Sequence, residues 1–281
     1  MTRTQPIARF KKLFSILAVA AATLCWTAGF SQAQYSQDFD AFADGTTDFG
    51  DGSSYDTNNA GGFGVFEGVL VITTDGVDST RTSFRIPALA NSSLGWTATF
   101  DFAIIDSEEA NDPADGFSFS YGAIPPFTVA DTSVNGWGSA EEGFPGVDHI
   151  SFEVDTWRNG EAEQGVNISV NNTNEAFTNG VILDDGTTVI ATATISWDPV
   201  DGASFLTTGL VTNADFVDIP TPGFTGSDDM IFAFTARTGG ANESFVIDNL
   251  VITAIPEPSS LVLAVLGLMG LVNLAWRRRS R

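Results

Sequence analysis

One short run of the chain collects side chains that could bind an ion. Residues 149–159 have the sequence His-Ile-Ser-Phe-Glu-Val-Asp-Thr-Trp-Arg-Asn. If this run is a β-strand, Glu153 and Asp155 point to the same face, with their Cα atoms about 6.7 Å apart. Repulsion between two charges at that distance is about 0.6 kcal/mol in water and roughly 2.5 kcal/mol at an effective dielectric constant of 20. A bound cation would reverse the sign of this energy.

The oxygen donors around this pair suit calcium, a hard cation that takes about 6–8 oxygen ligands. The candidate ligands are Glu153, Asp155, the backbone oxygen of Trp157, the Asn159 amide and an acid at Glu161 or Glu163, of which Glu163 enters our ligand set. The alternative is a pair of solvated acids on an acidic protein. The pattern therefore predicts a calcium site without excluding an ordinary surface.

The elements that would position these residues are short strands. Apolar residues alternate with polar ones over Trp96–Ile104 and again over Phe117–Tyr121, which indicates strands with one buried side. Further strands are predicted at 64–73, 149–156, 165–171, 189–197, 204–211, 230–236 and 245–253. The run Asp-Pro-Val-Asp-Gly at 198–202 predicts a turn between two of them.

These strands predict one all-β domain over residues 34–254. No stretch between the two ends of the chain shows sustained helical periodicity. Many evenly spaced short strands without intervening helices favour an antiparallel two-sheet sandwich of the jelly-roll type.

Several segments together resemble the legume-type (L-type) lectins of the concanavalin A-like superfamily. Glu153, Asp155, Thr156, Trp157 and Asn159 are similar to the metal and sugar loop of that family. In the family's order, the chain also has Ala-Asp-Gly-Phe-Ser-Phe at 114–119, Ala-Thr-Ile-Ser-Trp-Asp at 193–198, and the segments 232–240 and 245–252, which resemble its last two strands. The resemblance spans most of residues 34–253.

The resemblance implies roles for individual residues. Asp115, after a cis peptide bond with Ala114, would accept hydrogen bonds from sugar hydroxyls. Trp157 would present its ring to the sugar and its backbone oxygen to calcium, while Asn159 would bind both. A loop at 238–240, with Gly239 and Gly240, would form the rim of the site. The family's further backbone donor, a glycine, could be residue 136, 138, 143 or 146.

One departure from the family concerns its second metal. These lectins place an Asp and then a His after the asparagine, which completes a transition-metal site beside the calcium. The segment 159–166 of this chain is shorter and contains no His. We therefore expect calcium alone and no transition metal.

The charge distribution excludes several partners. Between residues 34 and 255 there are 34 acids and 4 arginines, hence a formal charge of 4 − 34 = −30, and no lysine. Such a surface repels nucleic acid and anionic lipid headgroups. With 23 Phe residues in the whole chain, the apolar content suffices for a large core.

The N-terminal segment has the pattern of a secretory signal peptide. Residues 1–33 combine a basic start, an apolar run over 13–30 and a Ser-Gln-Ala end that suits signal peptidase. Cleavage after Ala33 would also remove Cys25, the chain's single cysteine. We expect a mature domain that contains no disulfide bond.

The C-terminal segment, residues 255–281, has the pattern of a sorting tail. Pro-Glu-Pro at 256–258 precedes an apolar run over 259–276 and three arginines at 277–279. The run is near the lower length limit for a transmembrane helix, and the arginines would stay cytoplasmic. This order resembles the PEP-CTERM tail of Gram-negative bacteria, which implies membrane anchoring, removal by an exosortase, and export to the cell surface or extracellular matrix.

We therefore expect an exported, non-enzymatic, lectin-like protein that binds a glycan or exopolysaccharide with the help of calcium. A structural or adhesive matrix protein that has lost sugar binding is the first alternative. The second is a glycoside hydrolase on the same sandwich, which would need a further glutamate after Asp155. The chain has Thr-Trp-Arg-Asn at 156–159 instead, so no acid is available to protonate a leaving group.

Overall fold

The structure is a computed structural model that describes residues 34–58, 63–106, 113–124, 147–157, 164–183, 186–255 and 267–270. Ala33–Ile255 form one compact unit by themselves. Residues 267–270 are helical. The predicted signal peptide, and the rest of the predicted membrane helix, lie outside the described residues. Within the described ranges, no helix is long and apolar enough to cross a membrane.

In its described residues, the compact unit is built from strands and one 3-10 helix, at Ser92–Leu94. The described strands are β1 (Gln34–Gln37), β2 (Ser54–Thr57), β3 (Gly64–Phe66), β4 (Val69–Val71), β5 (Arg81–Ile86), β6 (Trp96–Ile105), β7 (Gly116–Gly122), β8 (His149–Asp155), β9 (Gly165–Val170), β10 (Thr173–Asn179), β11 (Thr188–Asp198), β12 (Gly202–Thr208), β13 (Asp215–Ile219), β14 (Ile231–Arg237) and β15 (Ser244–Ala254).

In this part of the chain the strands form two antiparallel sheets. The eight-stranded sheet has the order β13-β12-β11-β6-β15-β4-β3, and β1 pairs with β15 outside that path. The seven-stranded sheet has the order β10-β9-β8-β7-β14-β5-β2. The predicted all-β, two-sheet jelly-roll sandwich is therefore confirmed.

Alternating aromatic side chains fill the space between the sheets. On β6 the buried side chains are Trp96, Ala98, Phe100, Phe102 and Ile104, as the two-residue period predicts. Across the core, the ring centroids of Phe100 and Phe234 are 4.8 Å apart, and those of Phe117 and Phe245 stack at 3.7 Å. Interlocked rings of this kind fix how the sheets face each other.

The structure confirms one local prediction, the turn at 198–202, and corrects another, the strand at 64–73. The turn at 198–202 is confirmed: β11 ends at Asp198, whose carboxylate accepts a hydrogen bond from the Val200 amide at 2.7 Å, and β12 begins at Gly202. The single strand predicted at 64–73 is wrong. It is the hairpin of β3 and β4, because Glu67 and Gly68 both have positive φ, 50° and 82°, and reverse the chain.

The face of the seven-stranded sheet that points away from the other sheet is polar from β2 to β9. Register pairing aligns one row of side chains across the sheet: Asp56, Ser83, Thr235, Ser118, Glu153, Asn167 and Phe177. The pairing of the edge strand β10 with β9 has a register shift between Asn174 and Ala176. In the other sheet, the pairing of β12 with the edge strand β13 has a register shift between Ala203 and Phe205. The candidate residues that the structure describes lie on or beside this polar face.

Candidate functional site

Strand pairing gathers the described candidate residues at one end of the central strands of the seven-stranded sheet. Gly116, the first residue of β7, pairs with Asp155 on β8 and with Arg237 on β14. Because β7 is antiparallel to both neighbours, its start lies where they end. Asp115, just before β7, is therefore beside the segments that follow β8 and β14. We call this place the upper edge.

Asp115 is buried at the upper edge, with 6% of its surface exposed. Its peptide bond with Ala114 is cis, which confirms that prediction. The backbone is fixed on both sides, since the Asp115 amide donates to the Arg237 carbonyl at 3.1 Å and the Thr156 amide donates to the Asp115 carbonyl at 3.3 Å. Arg237 Nε lies 3.2 Å from Asp115 Oδ2. Burial raises the pKa of Asp115, and the Arg237 charge opposes that rise.

The loop after β14 brings backbone against the Asp115 carboxylate. A Cβ placed on Gly239 would lie 3.5 Å from Oδ2 and 3.6 Å from Oδ1 of Asp115. The preceding Thr238 is buried, and its hydroxyl lies 2.6 Å from that of Thr80. Gly240 is exposed, with open space around it. The structure thus brings the predicted rim loop to Asp115 and leaves its tip open to solvent.

Glu153, Asp155 and Trp157 are the described residues of the predicted calcium site. Asp155 Oδ1 accepts a hydrogen bond from the Trp157 amide at 2.9 Å, the geometry of an Asx turn. This bond draws the Trp157 backbone close to the carboxylate. Asn159, Glu163 and the four candidate donor glycines lie outside the described residues, so their predicted roles stay predictions.

Glu153 belongs to a side-chain network that the sequence did not reveal. Its Oε1 accepts a hydrogen bond from the Ser151 hydroxyl, and its Oε2 accepts one from the Asn167 amide at 2.5 Å. Asn174 Oδ1 in turn accepts hydrogen bonds from the Asn167 amide at 2.9 Å and from the Ser169 hydroxyl at 2.6 Å. The network fixes the Glu153 carboxylate among hydrogen-bond donors.

A polar cavity of about 320 Å³ opens beside this network. Its lining residues are Glu153, Asp155, Asn167, Ser169, Asn172, Asn174 and Phe177. We call it the β8–β10 groove. Among its described lining residues there are two acids and no basic side chain, and the aromatic ring of Phe177 is 45% exposed.

Glu243 is a second feature that the sequence did not reveal. It is 1% exposed, and neither carboxylate oxygen accepts a hydrogen bond of normal geometry from a described residue. Burial raises the pKa of Glu243 to about 8; the Thr156 hydroxyl acts to lower it, and the charges of Asp115, Asp106 and Asp155 raise it further. The upper edge therefore contains one more carboxyl group than the predicted site residues supply, and its raised pKa keeps it protonated at pH 7.

The described donors fit a hard cation only at Asp155. In the ranges that the structure describes, no group of three or more Asp, Glu, His or Cys residues is arranged to hold a metal. The Asp155 carboxylate and the Trp157 backbone oxygen are donors of the type that calcium prefers. At Glu153 a cation would compete with the hydrogen bonds from Ser151 and Asn167. The fit is thus better at Asp155 than at Glu153.

Some of the residues that the sequence did not reveal had a local signal. Arg237 alternates with Thr235 and adjoins the predicted rim loop, and Asn167 alternates with Ser169. Both positions could have been assigned to the outer face by the two-residue period. Glu243 had none, because its burial depends on segments far away in sequence.

Solved structures similar to this sandwich include lectins. The basic winged bean lectin with Tn-antigen has a TM-score of 0.60 at 18% identity, over 80% of this chain and 99% of that chain. Peanut lectin with a 9mer peptide has a TM-score of 0.56 at 16% identity, over 79% and 97%. The potassium-bound carbohydrate recognition domain of Emp46p has a TM-score of 0.55 at 14% identity, over 78% and 95%. These likenesses show the fold.

The tail matches a family. Residues 254–279 match the PEP-CTERM protein-sorting motif, as the sequence predicts, and the motif indicates export. No curated protein sequence matches the chain. The chain therefore combines a domain of the legume-lectin, concanavalin A-like jelly-roll fold with a PEP-CTERM protein-sorting motif.

Proposed function

We propose that the domain is a non-catalytic carbohydrate-binding module that acts outside the cell. The observation that carries the proposal is the contact at the upper edge, where the Gly239 backbone lies against the Asp115 carboxylate and Gly240 is open to solvent. The Asp115 carboxylate offers a sugar fixed acceptors, whereas the Gly239 amide already donates to the Ala241 carbonyl at 3.1 Å. Asp115, Trp157, Asn159, Gly239 and Gly240 are the proposed sugar contacts.

The charge of the upper edge favours a neutral sugar. Asp115 and Asp155 are acidic, and the one described arginine beside them, Arg237, already contacts Asp115. An anionic sugar would meet net repulsion there. Its natural partner is therefore a neutral glycan or exopolysaccharide.

Calcium is the proposed assisting ion. Asp155, the Trp157 carbonyl, Asn159 and Glu163 would hold it, and Glu153 would add negative charge from its adjacent hydrogen-bonded position. The ion would fix the loop that presents Trp157 and Asn159 to the sugar. Our proposal includes no transition metal.

A glycan array followed by calorimetry on the purified full-length chain, with calcium or with chelator, tests this proposal. We expect Asp115→Asn to weaken sugar binding by about 10–100-fold, because charge-assisted hydrogen bonds are lost. Chelation should weaken binding as well. The matched control is Asp201→Asn, an exposed acid in the turn between β11 and β12. Failure to bind any glycan at any calcium concentration would reject the proposal.

A structural or adhesive matrix protein is the alternative that one observation favours. Arg237 lies beside Oδ2 of Asp115. This oxygen therefore already has a charged partner when no sugar is bound. If a double substitution, Asp115→Ala with Asn159→Ala, left attachment to the cell surface or matrix intact, this alternative would replace the lectin. A hydrolase has less support, and release of reducing sugar from a β-glucan or galactan would reverse that order.

The chain's two ends complete the proposal. Signal peptidase would remove residues 1–33, and the 259–276 helix would hold the chain in the membrane until an exosortase removes the tail at 255–281. The domain at 34–254 would then remain at the cell surface or in the extracellular matrix. N-terminal sequencing and intact mass of the exported protein would locate both cleavage sites.

A further inference from the structure

The chain leaves the domain at the end opposite the proposed sugar site. The rim loop beside Asp115 leads into β15, whose first residue, Ser244, pairs with Ile105 at the end of β6. The last residue of β15, Ala254, pairs with Trp96 at the start of β6. A strand of 11 residues covers roughly 33 Å. We call the end of the sandwich at Ala254 the lower end.

Little free chain separates the last strand from the apolar run of the tail. The Ile255 amide donates to the Gly95 carbonyl at 2.9 Å, which holds this residue to the domain. The sorting motif matches from residue 254, inside β15, and the apolar run begins at residue 259. Whatever the conformation of residues 256–258, the four steps from residue 255 to residue 259 span at most about 14 Å.

This reach is close to the thickness of the polar layer of a membrane. The headgroup regions extend a hydrocarbon core of about 30 Å to about 40–45 Å, hence by about 5–8 Å on each side. With residue 259 at the boundary of the core, Ile255 lies within about 10 Å of the headgroup layer. The lower end is then held at the membrane surface, and the Asp115 end of the sandwich is roughly 33 Å away along β15.

Exposed apolar side chains lie around the residue at which the tail begins. Val200, in the turn after β11, is 88% exposed, and Ile255 and Leu94 are exposed as well. Their segments are in contact, because a Cβ on Gly95 would be 2.7 Å from Ile255 Cδ1 and 2.9 Å from the Trp197 carbonyl oxygen. Single exposed apolar residues need no explanation, but these three come from separate segments and surround one point. A lipid interface could bury them together.

Carboxylates at the lower end select the type of lipid. Asp201 is exposed in the turn that contains Val200. Asp228 Oδ1 accepts a hydrogen bond from the Ser93 amide at 3.0 Å, in the 3-10 helix that also contains Leu94. Anionic headgroups would repel these carboxylates. The lower end therefore fits a surface of zwitterionic lipids.

We propose that the lower end rests on the headgroup layer of the membrane that holds the tail, so that the Asp115 site faces away from this membrane. The inference rests on the anchoring and the sugar binding of the proposed function, and it names the source of the glycan. The anchored protein binds exopolysaccharide that extends beyond the headgroups, and it does not bind glycolipid of the same membrane.

Labels at the two ends of β11 test the orientation. Thr188, its first residue, is exposed and pairs with Ile105, while Asp201 lies in the turn after its last residue. Thr188→Cys and Asp201→Cys, each in a Cys25→Ser background, would carry a fluorophore on the chain with its tail intact in phosphatidylcholine vesicles. Lipids with a spin label on the headgroup should quench the fluorophore at 201 and leave that at 188 unquenched. Equal quenching at both positions, or none at 201, would overturn the proposal.

A longer link is the matched control. Three partly exposed side chains bury less apolar surface than a myristoyl chain, which by itself binds membranes only marginally. An insertion of about 20 Gly and Ser residues after Ile255 adds an r.m.s. length of roughly 25 Å, and we expect it to remove most of the quenching at 201. Quenching that the insertion leaves unchanged would mean that the short link does not set the orientation, and the proposal would fail.

Two further measurements separate this inference from the proposed function. Extraction of the chain from the vesicles by carbonate would reject the anchoring and the orientation together. Absence of binding to any glycan would reject the sugar site and leave the orientation standing, because the quenching involves no sugar. With both in place, a glycolipid in the vesicle of the anchored protein should not compete with a soluble polysaccharide of the same neutral sugar. Competition would overturn the assigned source of the glycan.

Discussion

At the residue scale, the described part of the upper edge has more carboxyl groups than arginines. Asp115 has Arg237 as its counter-charge, whereas Glu243 has no cation within the described residues and a pKa of about 8. A buried carboxyl of that kind is neutral at pH 7 and ionises only under alkaline conditions or beside a new positive charge. The protonation of Glu243 is therefore tied to the stability of the edge.

Glu243→Gln should change how the stability of the domain depends on pH. The folded protein binds a proton at Glu243 up to about pH 8, while an ordinary glutamate releases it near 4.5. Between these values the folded state holds more protons than the unfolded state, so this group makes stability fall as pH rises. The variant, which cannot ionise, should lose less stability across this window.

Urea unfolding of both proteins between pH 4 and 9, in chelator, measures the difference. The free-energy gap between the variant and the wild type should shift in favour of the variant as pH rises, and level off above about pH 8. Asp201→Asn controls for the removal of one negative charge, because that side chain is exposed. A gap that does not vary with pH would contradict the assigned pKa.

At the element scale, the start of β7 depends on Gly116. Its φ is 121°, and a Cβ there would lie 2.2 Å from the Val154 carbonyl oxygen on β8. Only glycine allows β7 and β8 to stay paired beside Asp115 at this closeness. The sugar contacts proposed at the upper edge thus depend on a residue that touches no ligand.

Gly116→Ala should therefore lower the free energy of unfolding by about 2–4 kcal/mol, because it adds a backbone clash to the strain of positive φ. Gly50→Ala separates the two causes, since Gly50 also has positive φ, 68°, but nothing within 4 Å of its Cβ position. That control should cost only about 1–2 kcal/mol. Chemical denaturation of both variants measures the difference, and equal losses would exclude the clash.

Elements with strong alternation could be predicted from sequence, whereas those without it could not. Trp96–Ile104 alternates throughout and forms β6 as expected. The short polar strands β2 and β10 carry little periodic signal and form because neighbouring strands offer them hydrogen-bond partners. The hairpin turn at Glu67 was hidden because a glutamate with positive φ has no distinctive sequence signal.

The part of the candidate site that could be predicted is the part that follows from the order of the strands and from the resemblance of the sequence to legume-type lectins. Asp115, Asp155 and Gly239 are together because their strands are neighbours. The Glu153 network depends on the register of the consecutive strands β8, β9 and β10, and the burial of Glu243 depends on segments far away in sequence. A single sequence does not encode these contacts in any local pattern.

At the scale of the whole molecule, the formal charge of −30 over residues 34–255 should make stability depend on salt. Folding concentrates this charge, and its self-repulsion weakens when salt shortens the screening length from about 30 Å at 0.01 M to about 8 Å at 0.15 M. We expect a gain on the order of 1 kcal/mol, or about 2–4 °C in unfolding temperature. Calorimetry in increasing NaCl measures it.

Calcium separates screening from binding in the same measurement. A specific site would raise the unfolding temperature at calcium concentrations too low to change the ionic strength. Magnesium at equal concentration is the control for divalent charge. An unfolding temperature that falls as NaCl is added would contradict the role of self-repulsion.

Two edge strands, β10 and β13, affect whether neighbouring molecules can pair strand to strand. β10 and β13 carry Glu175 and the pair Asp215 and Asp218, in addition to their register shifts. Irregular, charged edges resist the addition of a strand from another molecule. Exported copies crowded side by side would therefore resist merging into intermolecular sheets at β10 and β13.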